Sequence, residues 1–381
     1  MKITDPWLEN AGTQAVFAAL TAKGHVALAV GGCVRNALMG VPVTDIDIAT
    51  DATPETVVQL AKDAQLKSVP TGIDHGTITV VSDGTGYEVT TFRADTETDG
   101  RRAIVRFSTD MAEDAARRDF TMNALYANAR GEVIDPLGGL PDLQARRVRF
   151  IGDATARITE DYLRILRFFR FSAWYGDPNL GFDVEALAAI AETLDGLDAL
   201  SRERVTAEVT KLLSAPDPAP AIATMAQVGV LQMVLPGAHA ESLAPLIHYE
   251  TEAKLAPDAI RRLASLGPFD PSHLRLAKRD QRRLELYQRL ISEITPAAEL
   301  GYRHGAEAAI DVLLLRSALL ENPVDPNTLD QARTGAQATF PVKPNDLMPT
   351  FTGAKLGEKL RELETRWIAS GFVLGKSDLL D

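Results

Sequence analysis

The stretch "HVALAVGGCVRNALMGVPVTDIDIAT", residues 25–50, sets an apolar run, two adjacent glycines and an arginine ahead of two aspartates one residue apart. "VALAV" reads as a strand, Gly31-Gly32 as a turn, the segment to Gly40 as a short amphipathic helix, and "TDIDIAT" as a second strand. Glycines between a strand and a helix let backbone N–H groups approach a phosphate at the positive end of the helix dipole. Arg35, in the first turn, adds charge. On a strand, residues i and i+2 share a face, so Asp45 and Asp47 stand side by side while Ile46 and Ile48 point into the core. Like charges held this close resist full ionisation unless a cation is present, and hard oxygen donors suit one or two Mg²⁺ ions. Taken alone, Asp-x-Asp also describes a surface turn and Gly-Gly a capped tight turn, so the reading depends on the rest of the chain.

A helical pattern near Thr13 to Lys23 precedes this stretch, and "GTITVVSDGTGYEVTTFR" (76–93) follows it as two β-branched strands joined by a glycine-containing turn. Glu88 lies on the second of these strands, where a neighbouring strand could bring it beside Asp45 and Asp47 as a third carboxylate; the alternative is a solvent-facing strand residue. From about Asp153 the strand signals stop. Ala/Leu/Arg/Glu-rich helical periods run to the end, punctuated by "SAPDPAPA", "LGPFDPSH" and "ENPVDPN". The fold class expected is α+β, with a mixed first part to about residue 150 and an all-helical remainder.

Length and composition bound the function. With 381 residues, 45% hydrophobic and 24% charged, the chain is that of a folded multidomain protein rather than a disordered one. The single cysteine, Cys33, excludes an intramolecular disulfide and a cysteine-based zinc cluster. The opening "MKITDPWLEN" carries no apolar signal region and no long apolar run follows, so a cytoplasmic location without membrane contact is expected; no stable protein partner can be inferred. A net charge of -12 speaks against non-specific coating of nucleic acid, yet between Arg101 and Arg170 there are 13 Arg and no Lys against 10 Asp plus Glu, a local excess of +3. Arginine's planar fork suits phosphates and base edges; a solvated helix face is the blander account. The basic cluster "RLAKRDQRRLELYQR" (275–289) carries the same two readings.

"GGCVRNALMGVPVTDIDIAT" (31–50), "RRDFTMNALYAN" (117–128), "DPLGGLPDL" (135–143) and "EDYLRILRFFRF" (160–171), in this order and spacing, resemble the successive motifs of the class II tRNA nucleotidyltransferases. These are the CCA-adding enzymes, which share a superfamily with bacterial poly(A) polymerases. The resemblance is close over about residues 25–215 and looser beyond. It implies a nucleotidyltransferase-type mixed β-sheet head (1–150), followed by an all-helical neck (151–215), body (216–295) and tail (296–381) that contacts tRNA. It further implies that Gly31 and Gly32 cradle the triphosphate, that Asp45 and Asp47 hold the metals, and that Arg117, Arg118 and Asp119, with Asn123 nearby, contact the incoming nucleotide. Asp161 and Arg164 of "EDYLR", three apart on what reads as a helix and so expected to share a face, would face the base. One departure is visible: the family usually has an aspartate after the arginine of the glycine motif, and this chain has Asn36. If that residue only orients Arg35, an amide partly stands in.

The implied reaction is transfer of CMP and AMP from CTP and ATP to the tRNA 3′ end, an in-line displacement clamped by two Mg²⁺ ions. No Ser-His or Cys-His pair is placed for a covalent intermediate. A poly(A) polymerase built on the same head is the nearest alternative, and the absence of a long basic extension leans away from it. A catalytically silent RNA-binding module is the alternative from another class, opposed by the intact Asp45 and Asp47. An appended metal phosphohydrolase would need a His-Asp dipeptide, and the sequence has none.

Overall fold

The computed structural model describes residues 1–73, 76–99 and 102–381; Arg101, the first of the arginines counted above, lies outside them. The chain folds into two compact units, Met1–Leu212 with Gln227–Val234, and Leu213–Ala226 with Leu235–Asp381.

The first unit is built on a mixed sheet of strands β1 (Ala27–Val30), β2 (Asp47–Thr50), β3 (Lys67–Gly72), β4 (Thr77–Ser82), β5 (Thr85–Thr91), β8 (Tyr126–Ala127) and β9 (Val133–Ile134), in the order β3-β4-β5-β2-β1-β8-β9. A separate hairpin, β6 (Arg93–Asp99) with β7 (Arg102–Phe107), was not legible in the sequence pattern. The expected hairpin is present as β4–β5, turning on Asp83-Gly84, whose φ values of 48° and 75° are those of the hairpin turn that Asp-Gly favours. The first helical pattern forms a helix over Ala11–Thr21. The sheet's single parallel pairing joins β2 to β5 and sets Asp47 opposite Glu88. No described strand follows β9, in line with the helical remainder expected.

One expectation needs correction. Asp45 does not lie on a strand with Asp47: β2 begins at Asp47, and Asp45 is exposed in the irregular segment before it, accepting a 2.9 Å hydrogen bond from its neighbour Thr44. Sheet pairing starts only where β1 and β5 flank both edges, and from there Ile48, Ala49 and Thr50 are all buried. The alternation assumed for a one-sided strand does not hold for a central one.

Phe120, Phe150, Phe168 and Phe171 form a buried ring cluster with centroids 5.1–6.4 Å apart. It fastens the 117–123 segment onto the helix Leu163–Tyr175, whose phenylalanines at 168 and 171 lie three apart on one face.

The second unit is all helical. A buried ionic network occupies it: Arg261 donates to Glu250 and Asp311 at 2.7 and 2.8 Å, Arg262 to Glu250 at 2.9 Å, and Arg283 to Asp258 and Asp311 at 2.8 and 2.9 Å. Arg283 therefore turns inward from its helix Lys278–Ile291, whereas Lys278, Arg279, Arg282 and Arg289 are exposed. Helices Ala297–His304 and Pro326–Gln337 approach so closely that a Cβ on Gly301 would stand 1.9 Å from the Ala332 carbonyl oxygen, and one on Gly335 1.9 Å from that of Ala298. Neither contact can relax by a side-chain rotation. Gly335→Ala should destabilise the fold by about 2–3 kcal/mol, as overpacking against backbone does, read as a lower urea midpoint; an unmoved midpoint would show that the helices can part without cost.

Candidate active site

The site grows from the glycine turn. Gly31 has φ 70° and ψ −118°, a conformation closed to residues with a Cβ, and it caps the helix Gly32–Met39. Its N–H donates to the Leu125 carbonyl at 3.1 Å, which ties the turn to the 117–125 segment. A Cβ on Gly31 would also stand 3.2 Å from Nη1 of Arg118. The arginine thus reaches the lip of the turn, where an anion at the helix N-terminus would meet both its fork and the helix dipole. Arg118 is steadied from behind by Asp114, which accepts from its Nη2 at 3.0 Å and from the Tyr126 hydroxyl at 2.8 Å.

The carboxylates lie beside this cation. Burial, then the charge of Glu88, push the Asp47 carboxyl up to about 6; Arg118 opposes the rise and Asp45 adds to it. Glu88 and Asp45 thus both act on Asp47, Glu88 as its strand neighbour from an exposed position and Asp45 from the segment before the strand. Among the described residues no group of three or more His, Cys, Asp or Glu side chains is gathered into a metal cage. The donors present are all carboxylate oxygens, and their mutual repulsion is what a hard divalent cation relieves.

Arg35 is buried, and its guanidinium serves the architecture. Its Nε and Nη2 donate to the Asn36 side-chain oxygen at 3.2 and 2.9 Å, Nη1 to that of Asn123 at 2.5 Å, and Nη2 also to the Tyr175 hydroxyl at 2.9 Å. Asn36 thus orients Arg35, and it anchors itself by donating to the Pro42 carbonyl at 2.9 Å. Asn123 donates in turn to Asp119 at 3.0 Å, and Asp119 also receives Nε of Arg167 at 2.7 Å and a second, shorter bond from Nη2. Burial would raise the Asp119 carboxyl, but Arg167 and the bonds from Asn123 and the Phe120 N–H hold it below the usual carboxylate range. Arg117, half-buried, caps the helix Met111–Ala116, and its carbonyl accepts from Arg164 at 3.3 Å. In "DPLGGLPDL" the carboxylates brace loops: Asp135 accepts from the Gly139 and Leu140 N–H groups, and Asp142 from Thr121 and Arg149.

Asp161 and Arg164 depart from the expected shared helix face. The helix breaks between them: Asp161 ends Ala154–Glu160 in extended conformation, and the next helix starts at Leu163. Asp161 pairs with Arg204 at 2.6 Å, whereas Arg164 pairs with Glu160 and donates to the Arg157 carbonyl at 2.6 Å. A carboxylate freed from the helical repeat accepts the Leu163 N–H as a local cap, and that turn separates it from Arg164.

Residues 27–149 match the family profile "Poly A polymerase head domain", and residues 179–242 match "Probable RNA and SrmB- binding site of polymerase A". Over its whole length the chain is 31% identical to CCA tRNA nucleotidyltransferase 1, mitochondrial, of Mus musculus, covering 92% of that protein. The chain belongs to the CCA-adding enzyme family. Within that family it is 35% identical to the CCA-adding enzyme of Leuconostoc mesenteroides over 84% of this chain and 79% of the other. The solved CCA-adding enzyme of Bacillus stearothermophilus in complex with CTP superposes with a TM-score of 0.73 at 26% identity, covering 96% of this chain and 94% of the other. The resemblance read from the sequence motifs and the α+β fold class are thereby borne out. No described helix is long and apolar enough to cross a membrane.

Several residues of this CCA-adding family member that bind the site together were not singled out from the sequence: Asp114, Tyr126, Glu160, Arg167, Tyr175 and Arg204. Only Arg167 carried a signal, the three-residue spacing of Arg164, Arg167 and Arg170 along "LRILRFFR", which puts them on one ridge. In the metal-free chain the Asp47 carboxyl should titrate near the value of about 6 set by its surroundings. Its folded pKa lies above the unfolded value, so the stability that protonation confers is lost as pH rises toward 6. Glu88→Gln should lower the midpoint while leaving it above that of an exposed aspartate, because one repelling charge goes and burial stays; carboxyl ¹³C shifts would read this, and an unmoved midpoint would assign the rise to burial and Asp45 without Glu88.

Proposed function

We propose that the chain adds CMP and AMP from CTP and ATP to the 3′ end of tRNA without a template, building and repairing the CCA terminus. The observation that carries the reading is the meeting of Asp47, Glu88 and Arg118 beside the Gly31 turn, in a chain related along its length to CCA tRNA nucleotidyltransferases. In this reading residues 1–150 form the catalytic head, 151–215 the neck that selects the base, 216–295 the body, and 296–381 the tail that meets tRNA.

In the reaction the 3′ hydroxyl loses its proton to solvent and its oxygen bonds to the α-phosphorus as the bond to the bridging oxygen breaks and pyrophosphate leaves in line. Asp45 and Asp47 would hold Mg²⁺, which when bound lowers the pKa of the attacking hydroxyl and steadies the pyrophosphate. The Gly31 and Gly32 N–H groups and the Arg118 fork supply preorganised donors for the triphosphate. Glu88, facing Asp47, is a third carboxylate that keeps the proton and cation balance of the pair. Asp119 and Asn123, with Arg35 and Arg117, keep the nucleotide-facing segment in place.

Base choice would fall to Asp161 and Arg164, whose side chains are 32% and 14% exposed while paired with Arg204 and Glu160. Cytosine and adenine both offer an exocyclic amino donor beside a ring acceptor, which a carboxylate and a guanidinium complement; uracil and guanine turn a carbonyl to the carboxylate. For the tRNA backbone the exposed Lys278, Arg279, Arg282 and Arg289 are suited by charge.

The deciding experiment incubates the protein with tRNA lacking its 3′ CCA and each nucleotide alone and together, and reads product lengths on a gel. Addition limited to CCA supports the proposal, whereas long homopolymers from ATP on any RNA would favour a poly(A) polymerase. Asp45→Ala or Asp47→Ala should lower transfer by about a thousandfold or more with the fold intact; near wild-type turnover with unchanged Mg²⁺ dependence would overturn the metal assignment. Asp161→Ala and Arg164→Ala should raise UTP or GTP incorporation relative to CTP and ATP while tRNA binding persists. Unchanged selectivity in the surviving activity would make the two residues structural.

A further inference from the structure

The Arg35 guanidinium is buried at 6% exposure, yet its direct partners among the described residues are neutral: the Asn36 and Asn123 amides and the Tyr175 hydroxyl. Burial pulls its pKa below the ordinary arginine value. The Asp119 carboxylate acts on it only from beyond Asn123, without a direct hydrogen bond, and the ring of Tyr175 lies 3.9 Å from the guanidinium carbon, with that of Phe171 at 5.1 Å, as a nearer source of negative potential. A desolvated cation over an aromatic face gains more than one in water. Tyr175 therefore supplies both a π face and a hydroxyl acceptor, from a position 140 residues along the chain.

What Arg35 holds is the nucleotide end of the head. Its Nη2 lies 3.9 Å from where a Cβ on Gly32 would be, and its Nη1 carries Asn123, whose carbonyl oxygen lies 3.6 Å from the Cβ position of Gly31. Displacing Arg35 would release the glycine turn from the 117–123 segment that faces it. We propose that Tyr175, at the end of the helix Leu163–Tyr175, is a positioning residue for nucleotide transfer, holding Arg35 so that the glycine turn keeps its place against the Arg118–Asn123 segment. This rests on the function proposed above. The side-chain oxygen of Asn36 already occupies the place from which a carboxylate would pair with Arg35, so Asn36→Asp supplies a charge partner that makes the ring dispensable.

The test compares Tyr175→Leu, Tyr175→Phe, Asn36→Asp and the double variant Asn36→Asp/Tyr175→Leu in steady-state CTP and ATP addition to truncated tRNA, with CTP binding measured separately without tRNA. Tyr175→Leu should lower kcat/KM for both nucleotides by about tenfold or more, weaken CTP binding, and leave KM for tRNA unchanged. Tyr175→Phe, which keeps the ring, should lose about threefold, and the double variant should recover most of the loss. Unchanged kcat/KM and CTP binding in Tyr175→Leu would overturn the proposal, as would a loss that Asn36→Asp fails to restore while Asn36→Asp alone, which gives up the bond to the Pro42 carbonyl, keeps wild-type activity. If Tyr175→Leu does not fold, Tyr175→Phe decides by the same split between nucleotide and tRNA constants. A wild-type chain that binds CTP but transfers nothing to tRNA would defeat the functional reading, while the binding comparison would still judge Tyr175.

Discussion

The carboxylate of Asp119, buried between two arginine systems, is the joint on which the site depends. One oxygen receives Arg167 from the helix Leu163–Tyr175; the other receives Asn123 and the Phe120 N–H. Through Asn123 it reaches Arg35 and the glycine turn. Ion pairs of this kind are expensive to bury and worse to break, since a lone partner left behind is an uncompensated charge in a poor solvent. The Phe120, Phe150, Phe168 and Phe171 cluster holds this polar relay at a constant depth. Packing fixes the distance between helix and segment, and the hydrogen bonds fix the register.

A second constraint runs against the first. The sheet places Asp47 at the open end of a strand whose remaining residues are buried, and pairs it with Glu88 across the sheet's one parallel pairing. Core packing would favour apolar groups there, and burial together with the charge of Glu88 pushes the Asp47 carboxyl up. Arg118 relieves part of it from the lip of the glycine turn. The same features that burden the site, crowded carboxylates next to a cation and a helix N-terminus, are those that a metal-bound triphosphate would satisfy.

The sequence reading succeeded where neighbours in the chain decide the outcome. Asp83-Gly84 between two alternating runs made a hairpin, and Gly31 sits at a φ that its position between strand and helix demanded. It failed where a partner from elsewhere overrode the local pattern. Asp45 fell off the strand because pairing with β5 begins only at Asp47 and with β1 only at Ile48, and Asp161 left the helix to cap Leu163 and pair with Arg204. The basic helix 278–291 kept its exposed stripe but lost Arg283 to the interior, where Asp258 and Asp311 receive it.

By itself the sequence determined the order of parts, a mixed head and a helical remainder, and the residue types of the site: the glycines, the two aspartates, and the arginines of "RRDF" and "EDYLR". Periodicity and turn chemistry are properties of consecutive residues, and they survive without knowledge of the fold. Tertiary structure alone decided which charges meet. Glu88 stands beside Asp47 because a parallel pairing crosses over two strands, and Asp119 finds Arg167 48 residues away. Arg35 finds Tyr175 at a separation of 140. Such pairs follow from where buried rings and sheet edges force the chain to pass, and no spacing in the sequence encodes the distance between them.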